Sequence, residues 1–149
     1  MKKQEEYFVS WDIVDDFRMF LPKCKFDVVV GILNGGAVPA LVASNVYKVP
    51  IVWCRCSSYK DRRKGEFVLT NIDVERKSIE NKKVLIIDDI VDTGETVRNV
   101  YNFVKEYNPK KIKVVSIAIK NRAYQLCQKL GVEYILVVPD RYWVIFPWE

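Results

Sequence analysis

The run Val84-Leu85-Ile86-Ile87-Asp88-Asp89 constrains this chain most. Four consecutive aliphatic residues, three of them β-branched, leave no polar face, so a strand built from them must be covered on both sides. Val28-Val29-Val30-Gly31-Ile32-Leu33 has the same character. Between such runs the apolar spacing turns helical. Ile13, Val14, Phe17, Phe20 and Leu21 follow Ser10, the expected N-cap, and lead to Pro22. Ala37 to Tyr47 reads as a second helix. Glu95 to Tyr107 reads as a third, with Val97, Val100, Tyr101 and Val104 on one face and Pro109 beyond its end. Arg122 to Leu130, stopped by Gly131, is the fourth. Further strands are expected at Pro50–Cys56, Ile112–Ile119 and, as the last, Glu133–Val138. Buried strands alternating with helices imply an α/β, Rossmann-like, mainly parallel sheet with helices on both faces. The 149 residues, half of them hydrophobic, suit a single domain over 1–149.

Composition excludes several chemistries. There is no histidine, so Ser-His-Asp and Cys-His arrangements are ruled out, and acid–base work near neutral pH falls to carboxylates, lysine or tyrosine. Cys24, Cys54, Cys56 and Cys127 form no C-x-x-C pair, which argues for free thiols over a zinc site. No apolar run approaches the ~18 residues of a membrane span, and no basic-then-apolar leader opens the chain. A soluble, cytoplasmic protein without membrane contact is expected. The net charge of +5 gathers at Lys60–Lys64 and Lys110–Lys113. Such clusters suit anionic partners, phosphorylated small molecules or nucleic acid, and equally a solvated surface.

In a parallel α/β sheet, ligands bind outside the C-terminal strand ends. Asn34-Gly35-Gly36, Ser57-Ser58-Tyr59, Asp88-Asp89 and Lys120 all fall at such ends and should converge on one crevice. The polar stretch Ser57 to Lys83, with a strand-like patch at Phe67-Val68-Leu69, reads as a long excursion or hairpin. Neither G-x-x-x-x-G-K-[ST] nor G-x-G-x-x-G is present. Instead, Asp-Asp is followed by Asp92-Thr93-Gly94-Glu95-Thr96 at a helix start. Backbone N–H groups of Thr93, Gly94, Glu95 and Thr96, with the two threonine hydroxyls, can cradle a phosphate. Carboxylates would repel that anion, so Asp88 and Asp89 need another target. A vicinal diol or a magnesium ion fits them. A ribose carrying a 5-phosphate offers both kinds of group about one sugar width apart.

Ile86-Ile87-Asp88-Asp89-Ile90-Val91-Asp92-Thr93-Gly94-Glu95-Thr96 resembles the phosphoribosyl-pyrophosphate (PRPP) signature of type I phosphoribosyltransferases. Tyr7–Asp12, Gly35–Pro39, Cys56–Tyr59 and Trp143–Glu149 resemble the xanthine-guanine and other 6-oxopurine (hypoxanthine-guanine) members of that family. The resemblance implies transfer of ribose 5-phosphate from PRPP to a purine nitrogen, giving a nucleoside monophosphate and pyrophosphate, with Mg2+ as cofactor. It also implies a flexible lid over 57–83, a small base-binding hood over 139–149, and a homo-oligomer, dimer or tetramer.

Residue by residue, the resemblance implies that Asp88 and Asp89 hold the ribose hydroxyls and the metal. Thr93, Gly94, Glu95 and Thr96 would take the phosphate. Asn34, Gly35, Gly36, Ser58 and Tyr59 would meet the rest of PRPP. Asp92 would be the general base, with Asp88 and Asp89 nearby to raise its proton affinity. Lys120 would donate to the purine 6-oxo group, Trp143 would stack on the base, with Tyr142 competing, and Val144 would offer its backbone. The chain departs from the family at Asn34, where arginine or lysine is usual, so that loop brings no charge of its own. It also reads Asn121-Arg122-Ala123 after Lys120, where a proline-containing segment is expected. A PRPP-binding regulator of nucleic acid on the same fold is the rival reading. The combination of Asp92, Lys120 and Trp143 argues for the enzyme and against nucleic acid as the ligand.

Overall fold

The computed structural model describes residues 4–58, 67–70 and 73–149. In chain order the elements are β1 (Glu5–Phe8), α1 (Ile13–Phe20), β2 (Val28–Leu33), α2 (Ala37–Tyr47), β3 (Ile51–Ser58), β4 (Phe67–Thr70), α3 (Arg76–Ile79), β5 (Lys83–Val91), α4 (Glu95–Lys105), β6 (Lys111–Lys120), α5 (Tyr124–Leu130), β7 (Glu133–Val138) and β8 (Tyr142–Ile145). A short 3-10 turn, Asn121–Ala123, leads into α5. The main sheet has the order β4-β3-β2-β5-β6-β7. Five of its strands run parallel, and β4 lies antiparallel on the β3 edge.

The apolar runs dictate this arrangement. β2 is buried at five of its six positions and β5 at seven of nine, so both take central places with a strand on either side. Alternation along β5 feeds two separate cores. Val84 and Ile86 pack with Val97, Val100 and Val104 of α4 and with Ile79 and Cys127. Leu85 and Ile87 pack on the other face with Phe17 of α1, Ala40 and Ala43 of α2, and Phe146. Among the described residues no helix is long and apolar enough to cross a membrane.

Several expectations need correction. Ser10 does not cap α1. The helix starts at Ile13 with Asp12 in the cap position and no side-chain cap. Instead the carbonyls of Ser10 and Trp11 accept the first N–H groups, of Ile13 and Val14, in a tight turn. β5 runs three residues past Asp88, because Ile90 and Val91 still pair with Ala118 and Ile119 of β6. Glu133–Val138 is not the last strand. β8 follows it and pairs in parallel with β1, Glu5 opposite Tyr142 through Phe8 opposite Ile145. This two-stranded hood closes one end of the α1/α2 core through Val144 and Phe146. Within 57–83, the described residues form the end of β3, the hairpin partner β4 and the short α3. The basic residues expected in a lid, Lys60 to Lys64, lie outside the described residues, as does Tyr59.

Ile86 is fully buried where β5 meets α4. Ile86→Ala is expected to lower unfolding free energy by about 2–5 kcal/mol. Urea denaturation measures this, and a loss well under ~1 kcal/mol would contradict a central place for β5.

Candidate functional site

The C-terminal ends of β5 and β6 border two cavities, and the Gly35 loop after β2 lies against Asp89 between them and the hood. The smaller, about 80 Å3, is lined by Asp88, Ile90, Val91, Asp92, Thr93, Gly94, Thr96 and Val97. It is the turn between β5 and α4. Gly94 makes the turn with φ of +92°, and a Cβ there would lie 2.0 Å from the Leu126 side chain. No other residue fits both conditions. Thr93, Gly94 and Thr96 all line this cavity. Glu95 does not, and its N–H is bonded to Thr93 Oγ1 at 3.3 Å.

The larger cavity, about 200 Å3, is lined by Asp89, Ile90, Asp92, Lys120, Trp143, Val144 and Glu149. The hood builds one of its walls. Trp143 leaves 55% of its surface exposed, so it is not a core residue, and it faces the cavity together with buried Val144. Tyr142, its competitor, is otherwise engaged, edge-on to Tyr7 and under the Arg141 guanidinium. Lys120 is 3% exposed, and its Nζ donates to the carbonyls of Asp140, at 3.3 Å, and Tyr142. Two acceptors for three N–H protons leave one proton for a ligand.

Asp92 borders both cavities. Its neighbour differs from expectation. Arg122 donates from Nε, at 2.9 Å, and from Nη2 to the same oxygen, Oδ1. Oδ2 makes no hydrogen bond among the described residues. Arg122 is fixed in turn because its own N–H is held by Asp140 Oδ1 at 3.0 Å. Arg122 belongs to the Asn121-Arg122-Ala123 segment that departs from the family, and the 30 residues between it and Asp92 hide the pairing from any local pattern.

Strand alternation separates the two aspartates at the end of β5. Asp88 borders the smaller cavity and Asp89 the larger. Both are almost fully buried, at 7% and 8% exposure. Asp88 Oδ1 accepts the Asp89 N–H at 2.8 Å, and Asp89 Oδ1 accepts the Ile90 N–H at 2.7 Å. Burial pushes the Asp88 carboxyl well above the usual carboxylate range, and the Asp89 charge beside it acts in the same direction. Burial raises Asp89 as well. Glu149, missed in the sequence, is raised by partial burial and by facing Asp89.

Gly35 lies against this pair. A Cβ on it would stand 2.0 Å from Asp89 Oδ2, so only glycine lets the loop approach the carboxylate. The Gly35 carbonyl accepts the Trp148 Nε1–H at 3.2 Å, tying the loop to the hood. Asn34 is exposed at the loop's start, with its side chain bonded to Arg55. Gly36 is the N-terminal cap residue of α2. Ser58 ends β3, and Tyr59 is outside the described residues. A cavity of about 510 Å3 between the ends of α1 and α2, around Arg18, Lys23 and Tyr47, contains none of these residues.

The sequence pattern of the phosphoribosyl transferase domain matches residues 12–149. The chain belongs to the phosphoribosyl transferase family. It is 27% identical to a xanthine-guanine phosphoribosyltransferase from Idiomarina loihiensis, over 97% of this chain and 87% of that protein. It is 30% identical to the human hypoxanthine-guanine phosphoribosyltransferase, over 70% of this chain and 49% of that longer protein. Its fold matches the crystal structure of a purine phosphoribosyltransferase from Pyrococcus horikoshii with a TM-score of 0.76, at 27% identity, covering 97% and 94% of the two chains. The α/β sheet with its flanking helices is the fold of this family.

The buried carboxylates have a cost in the unliganded protein. A carboxyl whose affinity for protons is raised by folding stabilises the fold while protonated. That contribution is lost as pH rises through the raised range, at about 1.4 kcal/mol per unit of displacement. Asp88→Asn keeps an acceptor for the Asp89 N–H without the charge. The unliganded variant is expected to melt at a higher temperature than wild type near pH 8, with a gap that narrows towards pH 5. Equal melting curves at both pH values would contradict the assignment.

Proposed function

We propose that this protein transfers the 5-phosphoribosyl group of PRPP to a 6-oxopurine (hypoxanthine, guanine or xanthine), releasing pyrophosphate and a nucleoside monophosphate. What carries this reading is that Asp92 stands between two cavities of different chemistry. On one side is a turn of N–H groups and hydroxyls suited to a phosphate. On the other is a slot with an exposed tryptophan and a buried lysine, suited to a flat base bearing an oxo group. The family membership and the names of its relatives point the same way.

Each residue then has a task. Thr93, Gly94 and Thr96 hold the 5-phosphate, and Asp88 and Asp89 accept the ribose hydroxyls. Trp143 stacks on the purine, the free Lys120 proton goes to the 6-oxo oxygen, and the Val144 backbone meets the exocyclic position. A lysine donor favours an oxo acceptor and rejects an amino group, which separates oxopurines from adenine. Asp92 takes the proton from the attacking imidazole nitrogen on Oδ2, while Arg122 keeps the carboxylate oriented through Oδ1.

Magnesium fits the donor set as part of a chelate. Asp88 and Asp89 supply hard oxygen ligands, and among the described residues no group of three or more metal-ligating side chains forms a site by itself. An ion bound by one or two carboxylates takes the rest of its shell from water and substrate oxygens. When bound, it neutralises charge on the departing diphosphate. The rival, a nucleic-acid regulator, gains nothing from the basic run Lys110–Lys113. That run lies at the start of β6, opposite the crevice, and Lys113 is paired with Glu133 at 3.0 Å.

The test is nucleotide formation from PRPP and Mg2+ with hypoxanthine, guanine, xanthine or adenine. Product is expected with at least one oxopurine and not with adenine, and no product from any base would refute the reading. Asp92→Ala is expected to cut turnover by about 10²–10⁴-fold with PRPP affinity largely retained. A collapse of PRPP affinity instead would make Asp92 a structural element of the turn.

A further inference from the structure

Arg55 is half-buried, and among the described residues no carboxylate pairs with it. Its backbone pairs with Leu33, the last residue of β2, so it stands beside the start of the Asn34-Gly35-Gly36 loop. Alternation along β3 fixes its face. Cys54 enters the α4-side core, whereas Trp53 packs on the α2 side, where its ring fills the place a Gly31 Cβ would need. Arg55 projects with Trp53, on the same face as Asp89.

Its contacts there are few. Nη2 donates to Asn34 Oδ1 at 2.5 Å. Nε is buried and has no acceptor among the described residues. Nor does a described carboxylate pair with the guanidinium. The cations nearer the base cavity are committed, Arg122 to Asp92 and Lys120 to two carbonyls. A guanidinium held only by a neutral amide leaves donors desolvated and unmatched, which is costly until an anion arrives. The loop beside it has a matching donor. The Gly36 N–H is taken by the Ile32 carbonyl and the Ala37 N–H by the Asn34 carbonyl, but the Gly35 N–H has no acceptor among the described residues. The Trp148 indole pins the Gly35 peptide from its carbonyl side.

We propose that Arg55 binds the diphosphate of PRPP and the pyrophosphate released from it, and that Asn34 is a positioning residue holding the guanidinium over the Gly35 loop. This assignment rests on the transferase reading above. It accounts for the uncharged Asn34 by placing the charge on the neighbouring strand, one hydrogen bond away.

The test is calorimetric titration of wild type and Arg55→Gln, with Mg2+ present, by pyrophosphate and separately by inosine 5′-monophosphate, which carries no diphosphate. Loss of a charge-assisted contact should weaken pyrophosphate binding on the order of tenfold to a hundredfold, leaving the nucleotide's Kd within about twofold. Unchanged pyrophosphate binding, or equal weakening of both ligands, overturns the assignment. Wild type that binds neither ligand overturns the transferase reading and the assignment with it. Wild type that binds both alongside a variant that also binds both equally overturns the assignment alone. Should Arg55→Gln fail to fold, Asn34→Ala carries the test. It is expected to weaken pyrophosphate selectively, and a change in both ligands or in neither overturns the assignment.

Discussion

Everything at the crevice depends on how β5 stops being apolar. A strand buried on both faces presents alternate side chains to two cores, and the first polar residues at its end inherit the same alternation. Asp88 therefore opens towards the α4 turn, and Asp89 towards the hood and the Gly35 loop. Both carboxylates are almost fully buried. Each is held by a backbone N–H one residue on, and their burial makes both reluctant to ionise. The fold thus keeps two desolvated carboxyls at the junction of two cavities, where hydroxyl donors or a cation would favour their charged form.

The cations of the site are arranged around that acidic centre with different degrees of commitment. Lys120 is buried and directed by two carbonyls, so it can offer one proton in one direction. Arg122 is spent on one oxygen of Asp92, leaving the other oxygen open. Arg55, among the described residues, is held only by an amide. This grading matches a ligand whose charge is concentrated away from the base and near the Gly35 loop. It also sets the nearest cation to the uncharged Asn34 on the neighbouring strand, one hydrogen bond away.

Much of this was legible in the sequence because it is local. The central strands announce themselves as unbroken aliphatic runs, α4 by Val97, Val100 and Val104, and the β5–α4 turn by Gly94 between two threonines. What was illegible depends on distance along the chain. β1 and β8 are four-residue strands far apart along the chain, and each alone is too short to carry a period. Arg122 meets Asp92 across 30 residues and Arg55 meets Asn34 across 21, so no window of sequence contains either pair. Ser10 misled because its side chain suits a cap, whereas a turn through its carbonyl satisfied the helix start instead. The bond from the Glu95 N–H to Thr93 Oγ1 is likewise a feature of the folded turn that the residue types do not announce.

The central claim is that one site reads a phosphate with the β5–α4 turn and a sugar diol with Asp88 and Asp89. The most direct measurement compares the affinities of guanosine 5′-monophosphate and its 2′,3′-dideoxy counterpart for the wild-type protein. Losing hydrogen bonds to two buried carboxylates should weaken the dideoxy nucleotide by roughly tenfold or more. Equal affinities would contradict the account, because the aspartates would then be reading something other than the ribose.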